Sequence, residues 1–301
     1  MRIAVIGAGA VGCYVGGLLA HAGHNVTLLG RAVHVDAIKA NGLLLDMPDG
    51  SRRIEVDAVT DAADLSPADL VLVCVKSADT EDAGRELLPV LREGTVILSL
   101  QNGVDNAEKL RTVTGHSVVP AVVYVAVDMK GPGHVGYHGG GRLLIGACPE
   151  SEAIASAFTQ AGVPTIISER VLNALWTKLT INCAYNALSA VAQIAYTPML
   201  EVEGVKAVMA QVVQECQDVA AACQVWLPET MLQQVLDIAK LMPDQKSSTA
   251  QDIKRGRPTE IDYLNGYIVR KGAEFGIATP TNQALQVMVK LAEKSHCHVE
   301  R

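Results

Sequence analysis

A lysine and two asparagines follow one another at steps of four in a segment otherwise made of core-type residues. The segment NALWTKLTINCAYNAL, beginning at Asn173, has apolar residues at helical spacing on several faces and predicts a largely buried helix. Lys178, Asn182 and Asn186 then share one polar stripe, because an α-helix turns about 100° per residue. A largely buried helix should not carry a lysine, so the stripe indicates a polar site, in which neutral amides hold polar groups without adding charge.

A glycine-rich stretch near the N-terminus carries a second kind of chemistry. GAGAVG at residues 7–12 fits GxGxxG, follows the apolar run RIAVI and opens the helical pattern VGCYVGGLLAHAG. Dinucleotide binding requires this context, because glycines let the backbone approach a pyrophosphate at a helix N-terminus. Where NAD-binding domains usually place an acid, the second strand ends in Gly30 and Arg31. An arginine can pair with the 2′-phosphate of NADP, although a solvated loop arginine is the alternative.

Three further polar positions stand where elements begin or end. Lys76 follows the apolar run LVLVCV, and Gln101-Asn102-Gly103 follows TVILSL. The carboxyl ends of parallel strands form the rim at which doubly wound sheets bind ligands, although each position alone could be an ordinary loop. Glu260 precedes a helical pattern, where it either points into a site or is an exposed acid favoured by the helix dipole.

These groups require two scaffolds. Residues 1–167 alternate β-branched runs with amphipathic stretches, which predicts an α/β domain with a Rossmann-type, doubly wound sheet. In HSVVPAVVYVAVDMKGPGHVGYHGGGRLLIG, two apolar extended runs around a Gly-rich, Pro-containing turn region predict antiparallel strands that close this sheet. Residues 168–301 show helical periodicity throughout and predict an all-helical substrate and catalytic domain. We expect cofactor and substrate to meet in a cleft between the two domains.

The composition excludes several classes of function. With 49% hydrophobic and 19% charged residues the chain is globular, and a net charge of −7 argues against nucleic acid or an anionic membrane as the main partner. Apolar runs are far shorter than the roughly 18 residues of a membrane span, and glycines interrupt the stretch after Arg2 that could be mistaken for a signal peptide. We therefore expect a soluble, cytoplasmic protein.

Cysteine and histidine usage indicates neither disulfides nor a metal. The seven cysteines include no CxxC pair and mostly lie in apolar segments, as expected of core residues in a reducing compartment. His296, Cys297 and His298 could ligate a metal, but at a chain end they favour a disordered tail.

The motifs together resemble the ketopantoate reductase family. They are GAGAVG, Lys76, the QNG turn, YVAVDMKGPGHVGYHGGGRLLIG, KLTINCAYNAL and SSTAQDIKRGRPTEIDYLNG, in the family's order across nearly the whole chain. The resemblance implies NADPH-dependent reduction of 2-dehydropantoate to pantoate, on the route to pantothenate and coenzyme A.

The resemblance also implies roles for individual residues. Lys178 matches the family's proton donor and Glu260 an acid near nicotinamide and substrate; burial should lower the pKa of Lys178 while Glu260 holds it charged. The positions matching substrate contacts are Asn102, Lys178, Asn182, Asn186 and Ser248. The positions matching the NADP-binding set are Gly7, Ala8, Gly9, Ala10, Val11, Gly12, Arg31, Lys76, Asn102, Ala126 and Glu260.

Two departures from the family pattern leave the substrate open. Tyr196 stands where some members use Asn, and Thr249 stands where Met is frequent. One alternative is therefore a reductase for a different small 2-oxo acid. Another is a non-catalytic NADP-binding regulator, which would not need the stripe of Lys178, Asn182 and Asn186. The sequence leaves monomer or homodimer open.

Overall fold

The computed structural model describes residues 1–299, and the side chains of residues 1–295. The side chains of His296, Cys297 and His298 lie outside that range. The chain divides into two compact units, Met1–Val171 and a second that begins at Leu172. The strands are β1 (Arg2–Ile6), β2 (Asn25–Leu29), β3 (Leu43–Met47), β4 (Gly50–Ile54), β5 (Asp57–Val59), β6 (Leu70–Val73), β7 (Val96–Ser99), β8 (Val118–Gly131), β9 (His134–Gly146) and β10 (Thr165–Ser168).

The helices fall into two sets along the chain. Those of the first unit are α1 (Ala10–His21), α2 (Ala32–Asn41), α3 (Thr80–Leu87), α4 (Asn106–Thr114) and α5 (Ser151–Gln160). The remaining helices are α6 (Val171–Ala192), α7 (Tyr196–Leu200), α8 (Val205–Ala222), α9 (Met231–Leu241), α10 (Ser248–Lys254), α11 (Asn265–Phe275) and α12 (Pro280–Val299). Single 3₁₀ turns lie at Ala62–Asp64, Ser77–Asp79, Leu88–Val90 and Ile261–Tyr263.

The first unit contains the predicted Rossmann-type sheet. Its strand order is β4-β3-β9-β8-β7-β6-β1-β2-β5, with β10 beside β9. Strands from β8 through β5 in this order are parallel, and β8 and β9 form the predicted antiparallel pair. The β3–β4 hairpin was not expected, because GSRRI in β4 is mostly exposed and polar and lacks the apolar pattern of a core strand. It joins the sheet because β3 pairs with β9.

Helices cover both faces of the sheet, as a doubly wound fold requires. Successive side chains of β1 point to opposite faces. Ile3 and Val5 belong to a cluster with α1, α2 and α5, whereas Ala4 and Ile6 belong to a cluster with α3 and α4. This double burial explains why β1 reads as a continuous apolar run.

The second unit is all-helical over its described residues, as predicted, and α6 is bound to several of its neighbours. The Trp176 ring of α6 meets Tyr267 of α11 edge-on, with ring centroids 5.7 Å apart. The Tyr185 ring lies 4.4 Å from that of Tyr196, and the Tyr185 hydroxyl donates to the Val235 carbonyl of α9 at 2.9 Å. No described helix is long and apolar enough to cross a membrane. The cysteines among residues 1–295 are all free thiols.

The N-terminus of α12 is held by a carboxylate from another helix. Glu215 of α8 is only 8% exposed and accepts from the backbone N–H groups of Thr281 and Asn282 at 2.8 and 2.9 Å. It also accepts from the Asn282 side-chain amide at 2.7 Å. The first N–H groups of a helix have no partner within the helix, and a negative charge there is favoured by the helix dipole. Glu215 therefore connects α8 to the start of α12.

We predict that Glu215→Ala lowers the free energy of unfolding of the helical unit by about 3 kcal/mol, because buried N–H groups lose a charged acceptor. Urea unfolding followed by tryptophan fluorescence measures this unit, since both tryptophans, Trp176 and Trp226, belong to it. Gln214→Ala, at the exposed neighbouring position, should stay within about 0.5 kcal/mol of the unchanged protein. Equal losses in the two variants would contradict the role of the Glu215 carboxylate.

Candidate active site

The glycine loop between β1 and α1 has the shape that a pyrophosphate requires. Gly7 has a φ of +104°, and the N–H groups of Gly7 and Ala8 both donate to the Leu29 carbonyl of β2 at 2.9 Å. A Cβ on Gly12 would lie 2.2 Å from the Gly7 carbonyl oxygen, so that position is closed to any other residue. A Cβ on Gly9 would meet nothing within 4 Å. The loop is therefore closely packed between Gly12 and Gly7, and it is open to a ligand at Gly9.

The helix that follows the loop is suited to an anion. Ala10 and Val11 begin α1, its first turn contains no acidic residue, and Gly9 provides no side-chain cap. The first N–H groups of such a helix are free to bind phosphate oxygens and carry the positive end of the helix dipole. Residues 7–12 thus fit the diphosphate of a dinucleotide.

The end of β2 has no room for an acidic side chain. A Cβ built on Gly30 would lie 2.4 Å from the Ala8 Cβ and 3.3 Å from the Ala8 backbone. These atoms are rigid parts of the glycine loop, so position 30 is closed to the ribose-binding acid of NAD-specific domains. Arg31, the next residue, is exposed at the start of α2.

A buried polar network fixes the loop that carries Asn102. Asn106 at the start of α4 is 2% exposed and donates through its amide to the Asn102 carbonyl and to the Ser77 hydroxyl. The Ser77 hydroxyl donates to the same Asn102 carbonyl at 2.9 Å. Because Ser77 directly follows Lys76, the loops after β6 and β7 are joined where the sequence predicted binding residues.

Thr80 is the centre of this network. Its hydroxyl accepts from the Gln101 amide at 2.7 Å and lies 3.0 Å from both the Ser77 carbonyl and the Asn106 side-chain oxygen. Gln101 also donates to the Val75 carbonyl at 3.2 Å. Sequence reasoning missed Thr80 and Asn106. Each is a polar residue at the start of the helix that follows a predicted binding loop, and this position in the sequence could have indicated that they hold the loop.

Ala126 lies in an irregular part of the β8–β9 pair. It faces Gly139 of β9 and is flanked by register shifts on both sides. Gly139, Gly140 and Gly141 all have positive φ, a backbone conformation that side chains strongly disfavour. The GGG run therefore bends β9 opposite Ala126.

The predicted stripe on α6 combines a charged group with two amides. Lys178 is half-buried between the buried residues Leu175 and Leu179. Burial lowers the pKa of Lys178 to about 8, while the negative charge of Glu260 acts in the opposite direction. Asn182 is half-buried, whereas Asn186 is 3% exposed.

The side-chain amide of Asn186 makes no hydrogen bond to any residue in the described part of the chain. Buried amides in folded proteins nearly always have a partner. The Asn186 side-chain amide therefore has donors and an acceptor to offer to a ligand.

Helix α10 is attached directly to α6 beside this stripe. The Ser247 hydroxyl donates to the Asn186 carbonyl at 3.2 Å and accepts from the Ala250 N–H as the N-cap of α10. The Ser247 N–H donates to the Ser189 hydroxyl at 3.1 Å. Ser248, the predicted substrate contact, is exposed. Ser247 was missed, although a serine before a helical pattern is a recognised N-cap signal.

The two departures from the family pattern are both core positions. Tyr196 is 8% exposed, its ring lies tilted at 51° against that of Tyr185, and burial raises the pKa of Tyr196. Thr249 is 1% exposed. Tyr196 therefore fills the core of the helical unit and does not replace an asparagine amide with another accessible polar group.

Glu260 lies ahead of α11 and is half-buried, at the cap position of the 3₁₀ turn Ile261–Tyr263. The helical pattern that follows Glu260 does not form one continuous helix, because Leu264, with φ −106° and ψ −102°, separates this turn from α11. Among the described residues, no group of three or more His, Cys, Asp or Glu side chains could hold a metal ion.

Residues 3–150 match the family model described as ketopantoate reductase PanE/ApbA, and residues 170–293 match its C-terminal model. The chain belongs to the ketopantoate reductase family. It is 33% identical to a 2-dehydropantoate 2-reductase of Halobacterium salinarum, over 98% of this chain and 99% of that protein.

Solved structures agree with this family. A PanE/ApbA family ketopantoate reductase from Ralstonia eutropha is 49% identical, with a TM-score of 0.96 over 99% of this chain and all of that one. D-mandelate dehydrogenase, in a ternary structure with NADH and anilino(oxo)acetate, is 25% identical, with a TM-score of 0.92 over 98% and 99% of the two chains. The chain is thus an oxidoreductase of a nicotinamide-dependent family.

We predict that Thr80→Val weakens binding of a nicotinamide dinucleotide about tenfold, because removing the central hydroxyl leaves Gln101 and Asn106 short of partners and releases the Asn102 loop. Isothermal titration calorimetry with NADPH and with NADH measures the affinity. The matched control is Thr112→Val, at an exposed position of α4 whose hydroxyl contacts only its own helix. Unchanged affinity in a folded Thr80→Val protein would show that the network does not support the cofactor loop.

Proposed function

We propose that this protein reduces 2-dehydropantoate to (R)-pantoate with NADPH, in the biosynthesis of pantothenate and coenzyme A. The observation that carries the proposal is the stripe on α6, where a half-buried lysine under the influence of Glu260 shares a helix face with a buried amide available to a ligand. The activity named for the relatives supports the same substrate. The proposed location of this activity is the cytoplasm.

The first unit is proposed to bind NADPH. The backbone of Gly7, Ala8, Gly9, Ala10, Val11 and Gly12 would hold the diphosphate, with Lys76, Asn102 and Ala126 as further contacts. Arg31 would pair with the 2′-phosphate through charge-assisted hydrogen bonds, while Gly30 leaves no room for an acid that would repel it. When bound, the reduced nicotinamide supplies the hydride.

Lys178 is proposed to supply the proton. A lysine whose pKa is about 8 remains mostly protonated at neutral pH, and it is a stronger acid than an exposed lysine. Its ammonium group can donate a hydrogen bond to the substrate carbonyl, stabilise the negative charge that develops on the oxygen and transfer the proton. Glu260 helps to keep Lys178 charged until then.

The remaining polar groups are proposed to hold the substrate. Asn182 and Asn186 offer donors and acceptors without a net charge, which suits the carboxylate and hydroxyl groups of 2-dehydropantoate. Ser248 lies next to the residue that attaches α10 to the Asn186 carbonyl, so it has a defined position despite its exposure.

A reductase for another 2-oxo acid is the second candidate. The similarity to D-mandelate dehydrogenase over nearly the whole chain favours it, since that enzyme shares the fold. NADPH and NADH consumption with 2-dehydropantoate, phenylglyoxylate and small aliphatic 2-oxo acids distinguishes the two. A non-catalytic regulator would leave the stripe on α6 without a purpose and would reduce none of these acids.

On cofactor choice, we predict that NADPH is preferred over NADH and that Arg31→Ala lowers kcat/KM for NADPH by roughly tenfold to a hundredfold, with little change for NADH. Steady-state kinetics with each cofactor at saturating 2-oxo acid tests this. Lys39→Ala, which removes an exposed positive charge from the last turn of the same helix, is the control and should leave the ratio unchanged. Equal efficiency of the unaltered enzyme with both cofactors would contradict the prediction.

On the proton donor, we predict that Lys178→Ala lowers kcat by roughly 10² to 10⁴, the usual loss for a general acid, while NADPH affinity is nearly unchanged. The control is Lys206→Ala, which removes an exposed lysine at the start of α8. Because the protonated lysine is the acid, kcat of the unaltered enzyme should fall as pH rises through about 8. A Lys178→Ala enzyme with full activity would rule out this mechanism.

A further inference from the structure

The last helix carries a polar stripe of its own. Asn282, Gln286, Lys290 and Glu293 follow one another along α12 at steps of four, four and three, so they lie on one face of the helix. We call these residues the α12 stripe. Asn282 is buried, Gln286 and Glu293 are half-buried and Lys290 is exposed, so the stripe runs along the edge between the buried and the exposed side of α12.

The α12 stripe binds the chain on both sides of Glu260. Before it, the Thr259 N–H donates to the Glu293 carboxylate at 2.8 Å. After it, the Asp262 carboxylate accepts from the Gln286 amide and lies 2.8 Å from the Lys290 ammonium group. The backbone around Glu260 is thus held by residues of α12.

A third contact joins this segment to the helix that carries Lys178. The side-chain amide nitrogen of Asn265 donates to the Asn282 side-chain oxygen at 3.0 Å and to the Cys183 carbonyl of α6, also at 3.0 Å. Asn265 and Asn282 are both fully buried. A Cβ on Gly266 would lie 2.5 Å from the Gln286 amide nitrogen, so the glycine permits the close approach of α12.

We propose that the α12 stripe sets the position of Glu260 relative to Lys178, and that Gln286 and Glu293 are positioning residues for the proton transfer. This rests on the function proposed above for Lys178. Neither residue needs to touch the substrate, because each acts through the backbone or side chains that flank Glu260. The stripe thereby gives the C-terminal helix a part in the chemistry of a distant lysine.

The ionisation of Lys178 reports the position of Glu260. The negative charge of Glu260 opposes the lowering of the Lys178 pKa by burial. Other charged groups on helices that contact α6, and just before α11, are Lys206, Glu215, Asp218, Asp237, Lys240, Asp252, Lys254, Asp262, Arg270, Lys271 and Glu274. Displacing Glu260 removes the stabilisation of the charged lysine, so the Lys178 pKa should fall further.

The test uses a substitution that changes no charge. Gln286→Met removes the donor to Asp262 and keeps a side chain of similar length, and Gln283→Met makes the same change at an exposed position of α12. We expect Gln286→Met to move the high-pH limb of the kcat profile to lower pH by about 0.5 or more, and Gln283→Met to leave it in place. Glu293→Ala, which releases Thr259, should act in the same direction and serves if Gln286→Met does not fold.

The Glu260→Gln background separates positioning from general loosening of the fold. Once Glu260 has lost its charge, adding Gln286→Met should move the limb no further, because there is no charge left to position. An unmoved limb in folded Gln286→Met and Glu293→Ala proteins, or a shift of equal size in the Glu260→Gln background, would overturn the proposal.

A measurement without turnover keeps this test distinct from that of the proposed function. The Lys178 resonance in ¹³Cε-lysine-labelled protein, assigned by its loss in Lys178→Arg, gives the lysine pKa directly in each variant. The same pattern of shifts with no reduction of any 2-oxo acid would support the positioning role and refute the proposed activity. Reduction of 2-dehydropantoate by the unaltered protein, with the same Lys178 pKa in all variants, would support the proposed activity and refute the positioning role.

Discussion

The structure of the helical unit depends on keeping one positive charge in partly apolar surroundings. Burial of Lys178 among the side chains of α6 makes its charged form less stable, and Glu260 offsets part of that effect. For this balance to exist, neighbouring helices must exclude water from α6 and a carboxylate must be brought near from a segment far along the chain. The Tyr185–Tyr196 and Trp176–Tyr267 contacts provide the first condition, and the contacts of residues 259–265 with α12 provide the second.

The two units solve different recognition problems with different parts of the chain. The first unit presents backbone, because a diphosphate is bound by N–H groups and a helix N-terminus and tolerates little side-chain bulk near it. Gly7, Gly9 and Gly12 are therefore important because they have no side chain that would crowd the loop or a bound diphosphate. In the proposed function the second unit presents side chains, because a carbonyl being reduced needs a proton donor and neutral amides at defined positions.

Buried hydrogen-bond networks hold the groups of both units in place. Thr80 and Asn106 do so for the loop of Asn102, and Asn265 does so between α6 and α12. Asn265 also shows what such a network demands. Its amide nitrogen must face two acceptors, so its side-chain oxygen is left buried without a hydrogen-bond partner among the described residues. That oxygen is a suitable position for an internal water.

The sequence by itself determined the order of the elements, the Rossmann-type sheet and the helical second half, because period and turn chemistry are local properties of the chain. It also placed Lys178, Asn182 and Asn186 on one face, since they share one helix. Tertiary structure alone decided that Ser247 attaches α10 to α6 while Ser248 stays exposed, that Tyr196 fills the core, and that the β3–β4 hairpin joins the sheet. It also decided that the charge of Glu260 acts on Lys178. These pairs are distant in sequence, and their contacts arise only when packing brings separate helices and strands together.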